Sequence, residues 1–484
     1  MSSAAAISDE RIDPALKKLV WILVLGSLAP ALDTTIVNVA LADLGRSLHT
    51  SVATSQWTIT GYLLTTAMAM PVTGWAAGRF GAKQMWLSSL ALFIAGSAAS
   101  GAAWNIGSLI VFRLIQGVGA GLMLPIVMTL IVQAAGPKRL GRLMAVASLP
   151  MVVVPIFGPV VSGLILNNLN WRWIFYVNVP ICLAAMLLAW WRVPASPPAG
   201  DRQPFDVLGL ALLSPGLALI IYGLSQATGA SGFASTGVLV PLAAGVVLVA
   251  AFAVHAVRKR EKPLINLRVL RVRSFAASSS VLFLAGLSLY GPLLLLALYY
   301  QQVQGKSAIV TGLILAPQGI GSLVPRTIAG KLTDRIGPRL VVISGLVLTA
   351  VGTLAFTQAG PHTNEWLLGG SLLVRGAGLA GTTIAVMAGA FQGIPRGEVP
   401  DASSTTRIVL QVGGSFGAAV LAFILAHQLL AHGAVTAVTR GLAFDTAFWW
   451  AIGFSVLALL PALLLPRGIA TKKEPREEKQ LVAK

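Results

Sequence analysis

Charged side chains are scarce in this sequence, where Asp, Glu, Lys and Arg together make up 11% of 484 residues. Soluble domains carry about 25% charged residues, so this composition excludes a water-soluble protein of such length. Cys182 is the only cysteine, which excludes an internal disulfide and a disulfide-stabilised scaffold. The apolar fraction of 56% is too high for a disordered chain, and the 50 glycines lack the triplet period of collagen.

Long apolar runs account for the composition, and the mean hydropathy is +0.81. A transmembrane helix needs about 20 predominantly apolar residues. The sequence therefore predicts an all-α integral membrane protein with fourteen spans. Their expected limits are 19–41, 55–78, 84–104, 106–133, 142–166, 173–193, 206–226, 235–257, 274–300, 308–331, 338–358, 366–390, 402–431 and 445–465.

Basic residues fall mainly in alternate loops between these spans. With the N-terminus inside, 27 of the 35 Lys and Arg residues lie in inside segments and four lie in outside loops. Such a bias marks the cytoplasmic side of a membrane protein, so we expect both termini to be cytoplasmic, in the plasma membrane of a bacterium. The same alternation argues against a continuous basic surface for nucleic acid. Residues 1–18 carry three acids, unlike a signal peptide, so the first span is expected to be retained.

Two features recur at nearly one offset along the chain. The segments 74–83 and 330–339, expected to be the loops after the second and tenth spans, share a Gly-Arg-Gly-basic pattern 256 residues apart. The segments 113–121 and 375–381 share an Arg-Gly-Gly pattern 262 residues apart. The repeat predicts an N-terminal six-helix bundle over 19–193 and a C-terminal one over 263–465, with two inserted helices in 194–262. Residues 1–18 and 466–484 are then cytoplasmic ends. Repeated halves that meet at a midplane site are typical of secondary transporters.

Six short segments occur in a fixed order along the chain. They are 32–41 (LDTTIVNVAL), 74–83 (GWAAGRFGAK), 113–121 (RLIQGVGAG), 158–163 (GPVVSG), 171–180 (WRWIFYVNVP) and 263–267 (PLINL). Together they resemble the major facilitator superfamily, and within it the fourteen-helix drug:proton antiporters, over about residues 15 to 465. The resemblance implies two six-helix bundles plus two inserted helices, and export by alternating access. It also implies a proton gradient as energy source, with no cofactor.

The resemblance also implies roles for individual residues. The fifth-span segment is the antiporter motif of that branch, carried here by Gly158, Pro159 and Gly163. The 74–83 segment is a conformational latch between the halves, formed by Gly74, Arg79, Gly81 and Lys83, and its second copy supplies Asp334, Arg335 and Arg339. The family usually has Asp where this chain has Gly78. We therefore expect the latch to depend more on Asp334 than on the first copy.

Asp33 is the only carboxylate deep within a predicted span. A charge at that depth costs about 2.5–3.5 kcal/mol on insertion scales, so it is expected to be functional or paired. Asp33 and Arg113 lie about 12 Å and about 10 Å from the outer ends of their spans, at 1.5 Å per residue. We therefore predict that they pair, that Asp33 couples transport to protons, and that the permanently charged Arg113 tunes it. A purely structural pair that fastens spans 1 and 4 is the alternative.

The substrate is expected to be a small amphipathic molecule, because the spans offer apolar surface with few polar groups. Candidate cavity residues are Gln56, Thr60, Tyr62, Met123, Tyr290, Gln318, Arg375 and Gln411. No metal site is predicted, since the five histidines lack ligand spacing, and no Walker A sequence is present to bind ATP. Protons and membrane lipids are the other expected partners of a monomer, and accessory envelope proteins stay open. A dedicated exporter of one metabolite or lipid is the first alternative, and a membrane-embedded enzyme the second.

Overall fold

The computed structural model describes residues 14–50, 52–135, 168–195, 205–226, 235–259, 263–306, 308–395, 398–431 and 436–468, with isolated residues between these ranges. The helices before residue 200 form the N-bundle: α1 Pro14–Ser47, α2 Val52–Ala69, α3 Val72–Phe80, α4 Ala82–Gly101, α5 Ile106–Ala135, α6 Trp173–Tyr176 and α7 Asn178–Arg192. The inserted pair is α8 Val207–Gln226 and α9 Thr236–Arg258. The C-bundle follows: α10 Arg273–Gln302, α11 Ala308–Ile314, α12 Ala316–Leu323, α13 Arg326–Ile336, α14 Pro338–Leu354, α15 Glu365–Ala390, α16 Val399–Ala431, α17 Ala437–Leu457 and α18 Leu459–Ala462.

Within these ranges, ten helical segments are long and apolar enough to cross a membrane. Helices also cover the predicted spans 55–78, 84–104 and 308–331, so that thirteen of the fourteen are occupied. The remaining one, 142–166, lies mostly outside the residues that are described. The chain is thus a multi-pass, all-α membrane protein, as its hydropathy predicts.

Prolines interrupt the same span of each bundle. The turn at Met70–Pro71 separates α2 from α3, and the turn at Val324–Pro325 separates α12 from α13. Proline has no backbone N–H and its ring clashes with the preceding helical turn, so it kinks or breaks a helix. The C-bundle has a further break at Leu315, between α11 and α12, which leaves α12 as an isolated segment of eight residues.

Within each repeated motif segment, a glycine ends the helix. Gly81 has φ +87° between α3 and α4, and Gly337 has φ +86° between α13 and α14. Both values lie in the region that side chains rarely adopt, so glycine is required for each sharp reversal. The expectation that the motifs form loops from their first residue is wrong, since 74–80 belong to α3 and 330–336 to α13. We call the end of the molecule that carries Gly81 and Gly337 the motif end.

The apolar core differs between the two ends of the molecule. At the motif end one cluster joins both bundles, with Leu23 and Ile131 from the N-bundle and Val281 and Ile384 from the C-bundle. Toward the opposite end, the described residues form separate clusters within the N-bundle and within the C-bundle. The bundles therefore share one core at the motif end and pack as separate bodies at the opposite end.

The inserted pair bridges the two bundles. Helices α8 and α9 pack against each other, and α8 also contacts α2 and α16. The Ser214 hydroxyl of α8 donates to the Met68 carbonyl of α2 at 2.7 Å. Ile408 and Val412 of α16 pack against the apolar cluster of the pair. The insertion is thus part of the packed protein rather than a peripheral hairpin.

Candidate functional site

Asp33 lies in the middle of α1 and its side chain is fully buried. Arg113 of α5, also fully buried, forms an ion pair with it through Nη1. This is the partner predicted from the depths of the two residues in their spans. The Arg113 Nε donates to the Thr58 carbonyl of α2 at 3.0 Å, and the guanidinium carbon lies 4.1 Å from the centroid of the Tyr62 ring. Arg113 is therefore fixed by α1 and by two successive turns of α2.

Two amide side chains complete the surroundings of Asp33. Gln116 Nε2 of α5 and Asn178 Nδ2 of α7 each donate to Asp33 Oδ1 at 3.0 Å. The same amide nitrogens lie 3.1 Å and 3.2 Å from the Ser97 hydroxyl of α4. Helices α1, α4, α5 and α7 thus meet at one carboxylate. We call Asp33, Ser97, Arg113, Gln116 and Asn178 the carboxylate cluster.

The sequence did not single out Ser97, Gln116 or Asn178. Gln116 lies three residues after Arg113 and shares its helix face, so helical spacing alone was a usable signal. Asn178 lies in the 171–180 segment, but nothing in the order of residues shows that this segment approaches α1. Ser97 is one of several serines on an apolar helix and carried no signal.

The C-bundle holds a second polar cluster around Arg375 of α15. Its Nη1 donates to the Gln318 Oε1 of α12, and its Nη2 donates to the Ser288 carbonyl of α10 at 2.9 Å. The Ser455 hydroxyl of α17 donates to the Ser288 hydroxyl at 3.2 Å. Arg375 is fully buried, and its Nε has no hydrogen-bond partner within the described ranges. We call these four residues the arginine cluster.

The remaining cavity candidates lie in different environments. Tyr62 covers Arg113 and is fully buried. Met123 is fully buried in the core cluster shared by the bundles, which is a packing position rather than a cavity wall. The set Gln56, Thr60, Tyr290 and Gln411 is exposed or half-buried. Gln56, six residues before Tyr62 on α2, is exposed, unlike the buried residues of the carboxylate cluster.

The first motif copy lies against the C-bundle. A Cβ added at Gly74 would collide with Asp401 of α16, so α3 and α16 approach closely there. Lys83 Nζ donates to the Trp190 carbonyl near the end of α7, at 2.9 Å. Arg79 is half-buried. A Cβ at Gly78 would meet no atom within 4 Å, so the missing acid is not explained by lack of space.

The second motif copy ends α13. Asp334 and Arg339 are half-buried and Arg335 is exposed. A Cβ at Gly337 would lie 3.0 Å from the backbone of Arg467, which follows α18. The second copy thus packs against the end of its own bundle, whereas the first copy contacts the other bundle.

Part of the antiporter motif lies beside Asp33. Gly158 is buried, and a Cβ there would lie 2.9 Å from the Thr35 Cβ of α1. The Ser162 hydroxyl donates to the Ile36 carbonyl at 3.1 Å. Pro159 and Gly163 lie outside the described residues. The fifth-span segment therefore packs against α1 close to Asp33, so a movement of α1 there changes these contacts.

Asp445 is a carboxylate that the sequence placed wrongly. The last span was expected to begin at 445, but α17 begins at Ala437, so that Asp445 lies eight residues inside the helix. Its Oδ1 is buried and, in the part of the chain that is described, accepts no hydrogen bond. Asp33 is therefore not the only carboxylate well inside a span. No ion pair of Asp445 occurs among the described residues.

Asp206 organises the motif end of the inserted pair. It is 3% exposed and accepts hydrogen bonds from His255 and from the backbone N–H of Gly209 and Leu264, at 2.9–3.1 Å for the shortest contact of each. Lys259 Nζ lies 3.0 Å from the same carboxylate. Burial raises the pKa of Asp206, but the bonds from Lys259 and His255 and from the two backbone groups outweigh it and lower the pKa to about 2.

The comparisons with known proteins agree with this architecture. The sequence model of the Major Facilitator Superfamily matches residues 23–418. The solved structure of the proton:xylose symporter XylE superposes with a TM-score of 0.65 at 16% identity, covering 92% of this chain and 94% of that one. A likeness at this identity shows the fold. The chain belongs to the Major Facilitator Superfamily, and it is a transporter rather than an enzyme.

Two of its relatives by sequence carry names of resistance and export proteins. The Multidrug resistance protein B homolog of Mycobacterium tuberculosis is 36% identical over 421 residues, covering 87% of this chain and 78% of that protein. The Multidrug export protein EmrB of Haemophilus influenzae is 29% identical over 420 residues, covering 86% and 82%. The similarity thus extends over most of each chain.

Proposed function

We propose that this protein exports amphipathic organic compounds by proton antiport, through alternating access, with Asp33 as the proton carrier. The names of the two relatives favour drug export, and the bundle-and-insert fold favours a rocking transporter. The observation that carries the coupling proposal is the carboxylate cluster, because it places a buried acid between one fixed cation and two neutral amides.

The carboxylate cluster has partners for both protonation states of Asp33. When Asp33 is ionised it accepts from Arg113, Gln116 and Asn178. When Asp33 is neutral, Arg113 keeps its hydrogen bond to Gln116 Oε1, at 2.8 Å from Nη1, and its hydrogen bond to the Thr58 carbonyl. Asn178 Oδ1 is buried without a partner among the described residues, so rotation of that amide supplies an acceptor for the new O–H of Asp33. Asp33 and the groups that bond to it can thus each keep a hydrogen-bond partner after protonation.

Rearrangement of the carboxylate cluster couples protonation of Asp33 to helix movement. Arg113 is held to Asp33 by charge, and that attraction is lost when the carboxyl binds a proton. Helices α1 and α5 are then joined through the Gln116 amide and through Arg113 bonded to a neutral acid, and both contacts are weaker than the ion pair. Protonation from the outside therefore loosens the packing of α1 against α5, α4 and α7, and release of the proton restores it.

We propose that the motif end faces the cytoplasm, because the positive residues concentrate there. The described form is then closed toward the cytoplasm. A reagent that labels only from outside should modify a cysteine at position 230 and spare one at position 265. Labelling at 265 but not at 230 would contradict the fourteen-span topology.

Flux in reconstituted vesicles tests the function itself. Cells with and without the protein are first challenged with a panel of toxic amphipathic compounds and a smaller panel of metabolites. A compound that the protein protects against is then followed in proteoliposomes with an imposed pH gradient. We expect uphill movement of unchanged compound that stops when an ionophore collapses the gradient.

The same experiment separates the alternatives. Protection against several unrelated compounds favours a broad exporter, whereas movement of one metabolite alone favours a dedicated one. Equal accumulation with and without the pH gradient would contradict proton coupling. Wild-type protein in vesicles of identical lipid, with the gradient reversed, is the control for passive partition.

A further inference from the structure

The arginine cluster contains a buried positive charge that has no negative partner among the described residues. The groups that accept from Arg375 are the Gln318 amide oxygen and the Ser288 carbonyl oxygen, both neutral. None of the ion pairs between described residues includes Arg375. A guanidinium stays protonated and has five N–H donors. The cluster therefore leaves one unit of positive charge uncompensated and at least the Nε donor unused.

A buried charge without a counter-charge is energetically costly inside a membrane protein. Ionisable residues within spans normally pair or face a water-filled pathway, and they mark sites of function. Arg113 shows the paired solution in the same chain, with a carboxylate and no exposure. Arg375 is equally buried, so its missing counter-charge is not replaced by contact with bulk water in this form. A ligand that brings a negative charge would supply it.

Gln318 is placed so that it can give way to such a ligand. It lies on α12, the eight-residue segment between the breaks at Leu315 and at Val324–Pro325. Its side chain is half-buried, whereas Arg375 behind it is fully buried. Gln318 thus separates the guanidinium from the less buried side of the cluster. Interrupted helices near the membrane midplane are typical places for substrate sites in transporters.

We propose that the arginine cluster binds an acidic group of the transported compound, a carboxylate or a sulfonate, on Arg375. The Gln318 Oε1 occupies the position of one ligand oxygen while no compound is bound. The site rests on the proposed function only in that the ligand is an amphipathic organic molecule. The compounds that fit are amphipathic anions and zwitterions, and their neutral analogues bind more weakly.

The energetic reason is the exchange of acceptors on Arg375. The donor Arg375 is ionised with either acceptor, but only a carboxylate or sulfonate adds the attraction of an opposite charge, which is stronger in a protein interior than in water. Replacing the Gln318 oxygen by a carboxylate or sulfonate oxygen also removes the uncompensated charge. We therefore expect an anion to bind roughly 10-fold or more tightly than its neutral analogue.

A matched pair of fluorescent probes tests this preference. 1-Anilinonaphthalene-8-sulfonate and N-phenyl-1-naphthylamine share one ring system and differ by the sulfonate. Binding of each is measured to full-length protein in lipid nanodiscs, with empty nanodiscs subtracted and without any pH gradient. We expect wild type to bind the sulfonate more tightly. Arg375→Gln should weaken sulfonate binding roughly 10-fold or more and change binding of the neutral probe less than about 2-fold.

Gln318→Ala provides an independent arm. It removes the competing oxygen, so we expect the sulfonate to bind several-fold more tightly and the neutral probe to be unaffected. Gln392→Ala, at a half-buried glutamine just after α15, is the matched control and should change neither probe. If Arg375→Gln does not yield folded protein, Arg375→Lys replaces it, and the preference for the sulfonate should survive in reduced form because the charge is kept.

The outcomes are decisive in both directions. Equal loss of both probes in the Arg375 variant, or no loss of the sulfonate, would overturn the anion site. Weaker sulfonate binding in Gln318→Ala would overturn the exchange of acceptors. Because no gradient is used, failure of proton coupling would leave these results unchanged. Conversely, failure of the anion site would leave Asp33-dependent transport of neutral compounds unchanged.

Discussion

Arg113 and Arg375 occupy matching places in the two bundles, 262 residues apart, and both are fully buried. Tyr62, which covers Arg113, corresponds at an offset of 256 to Gln318, which accepts from Arg375. The position 256 residues after Asp33 is Leu289, next to the Ser288 carbonyl that accepts from Arg375. The two bundles thus keep the cation and differ in what neutralises it. One bundle holds a titratable pair, and the other holds a fixed charge.

The helix packing around the two arginines is alike, although the groups that bond to them differ. A Cβ at Gly96 of α4 would lie 2.7 Å from the Gln116 Cα, and a Cβ at Gly352 of α14 would lie 2.7 Å from the Arg375 Cα. Gly96 and Gly352 are 256 residues apart. The close helix contact is therefore a property of the repeated bundle, whereas we propose proton chemistry for the N-bundle, which holds the Asp33–Arg113 pair.

The largest difference is expected on removing the acid. Asp33→Asn keeps the size of the side chain and one acceptor oxygen but cannot carry a proton, so uphill export should fall to the passive rate while downhill exchange survives. Transport per folded molecule in proteoliposomes measures this. Asp33→Glu should retain part of the activity. Asp445→Asn, which removes a carboxylate of the C-bundle, is the matched control and should keep proton-driven export.

The next difference lies in the pH profile. Arg113→Ala removes the ion pair at Asp33 and leaves that carboxylate with the neutral donors Gln116 and Asn178. The pH profile of transport should therefore change. Arg375→Ala should leave the optimum for a neutral compound where it is in wild type. Identical profiles for both variants would remove the distinction between the two arginines.

Glycine substitutions should separate packing from chemistry. Gly96→Ala and Gly352→Ala each force an extra carbon between tightly packed helices, so each should cost about 1–3 kcal/mol of stability. Midpoints of thermal inactivation measure that cost. Only Gly96→Ala should also alter the pH profile, because it displaces Gln116 from Asp33. A shift of the profile in Gly352→Ala would argue against confinement of proton chemistry to the N-bundle.

The inserted pair belongs to neither arginine site, and Asp206→Asn should show this. The variant leaves Lys259 near a neutral group and should lower the thermal midpoint by a few degrees without moving the pH optimum. The pKa of Asp206 is lowered from 3.8 to about 2, so its stabilisation is complete above pH 3.8 and is lost as pH falls through about 2. The gap between wild type and variant should therefore persist from pH 5 to 8 and shrink below pH 3.8.

The smallest effect is expected at the motif end. Gly78 shares a helix face with Gly74, which contacts the first turn of α16, and a helix N-terminus attracts negative charge. Gly78→Asp should therefore favour the form closed at the motif end, although Asp401 in the same turn offsets part of the attraction. Spin labels at Ala102 and His362, exposed at the opposite end, report the distance between bundles.

The two variants at the motif end should act in opposite directions. Longer distances between the labels should gain population in Gly78→Asp, and Asp334→Asn should shift the population the other way. Unchanged distributions in both variants would show that the asymmetry of the two motif copies has no effect on the conformational balance.

Much of this fold could be predicted from the sequence because a membrane imposes simple rules on it. Apolar length predicted the spans, and the spacing of the repeat predicted which helices correspond. Span ends were less certain. The last span was misplaced by eight residues, because the polar residues Thr439, Arg440 and Asp445 at the start of α17 lower its hydropathy.

The carboxylate cluster was predictable only in part. Depth alone indicated that Asp33 and Arg113 could meet, since both lie a similar distance from one end of their helices. The roles of Gln116 and Asn178 depend on the packing of α5 and α7 against α1, which no local sequence pattern shows. The repeat alone showed that Leu289 stands in the C-bundle at the position that matches Asp33. That the charge of Arg375 is left uncompensated was evident only from its neutral hydrogen-bond partners, Gln318 and Ser288.

Proton release on substrate binding tests the central claim most directly. Purified protein in weakly buffered detergent solution is mixed with a saturating neutral compound that it exports, and the pH change is recorded. Wild type and Arg375→Gln should each release protons, because Asp33 is present in both, and Asp33→Asn should release none. Release from Asp33→Asn equal to that of wild type would contradict the assignment of Asp33 as the proton carrier.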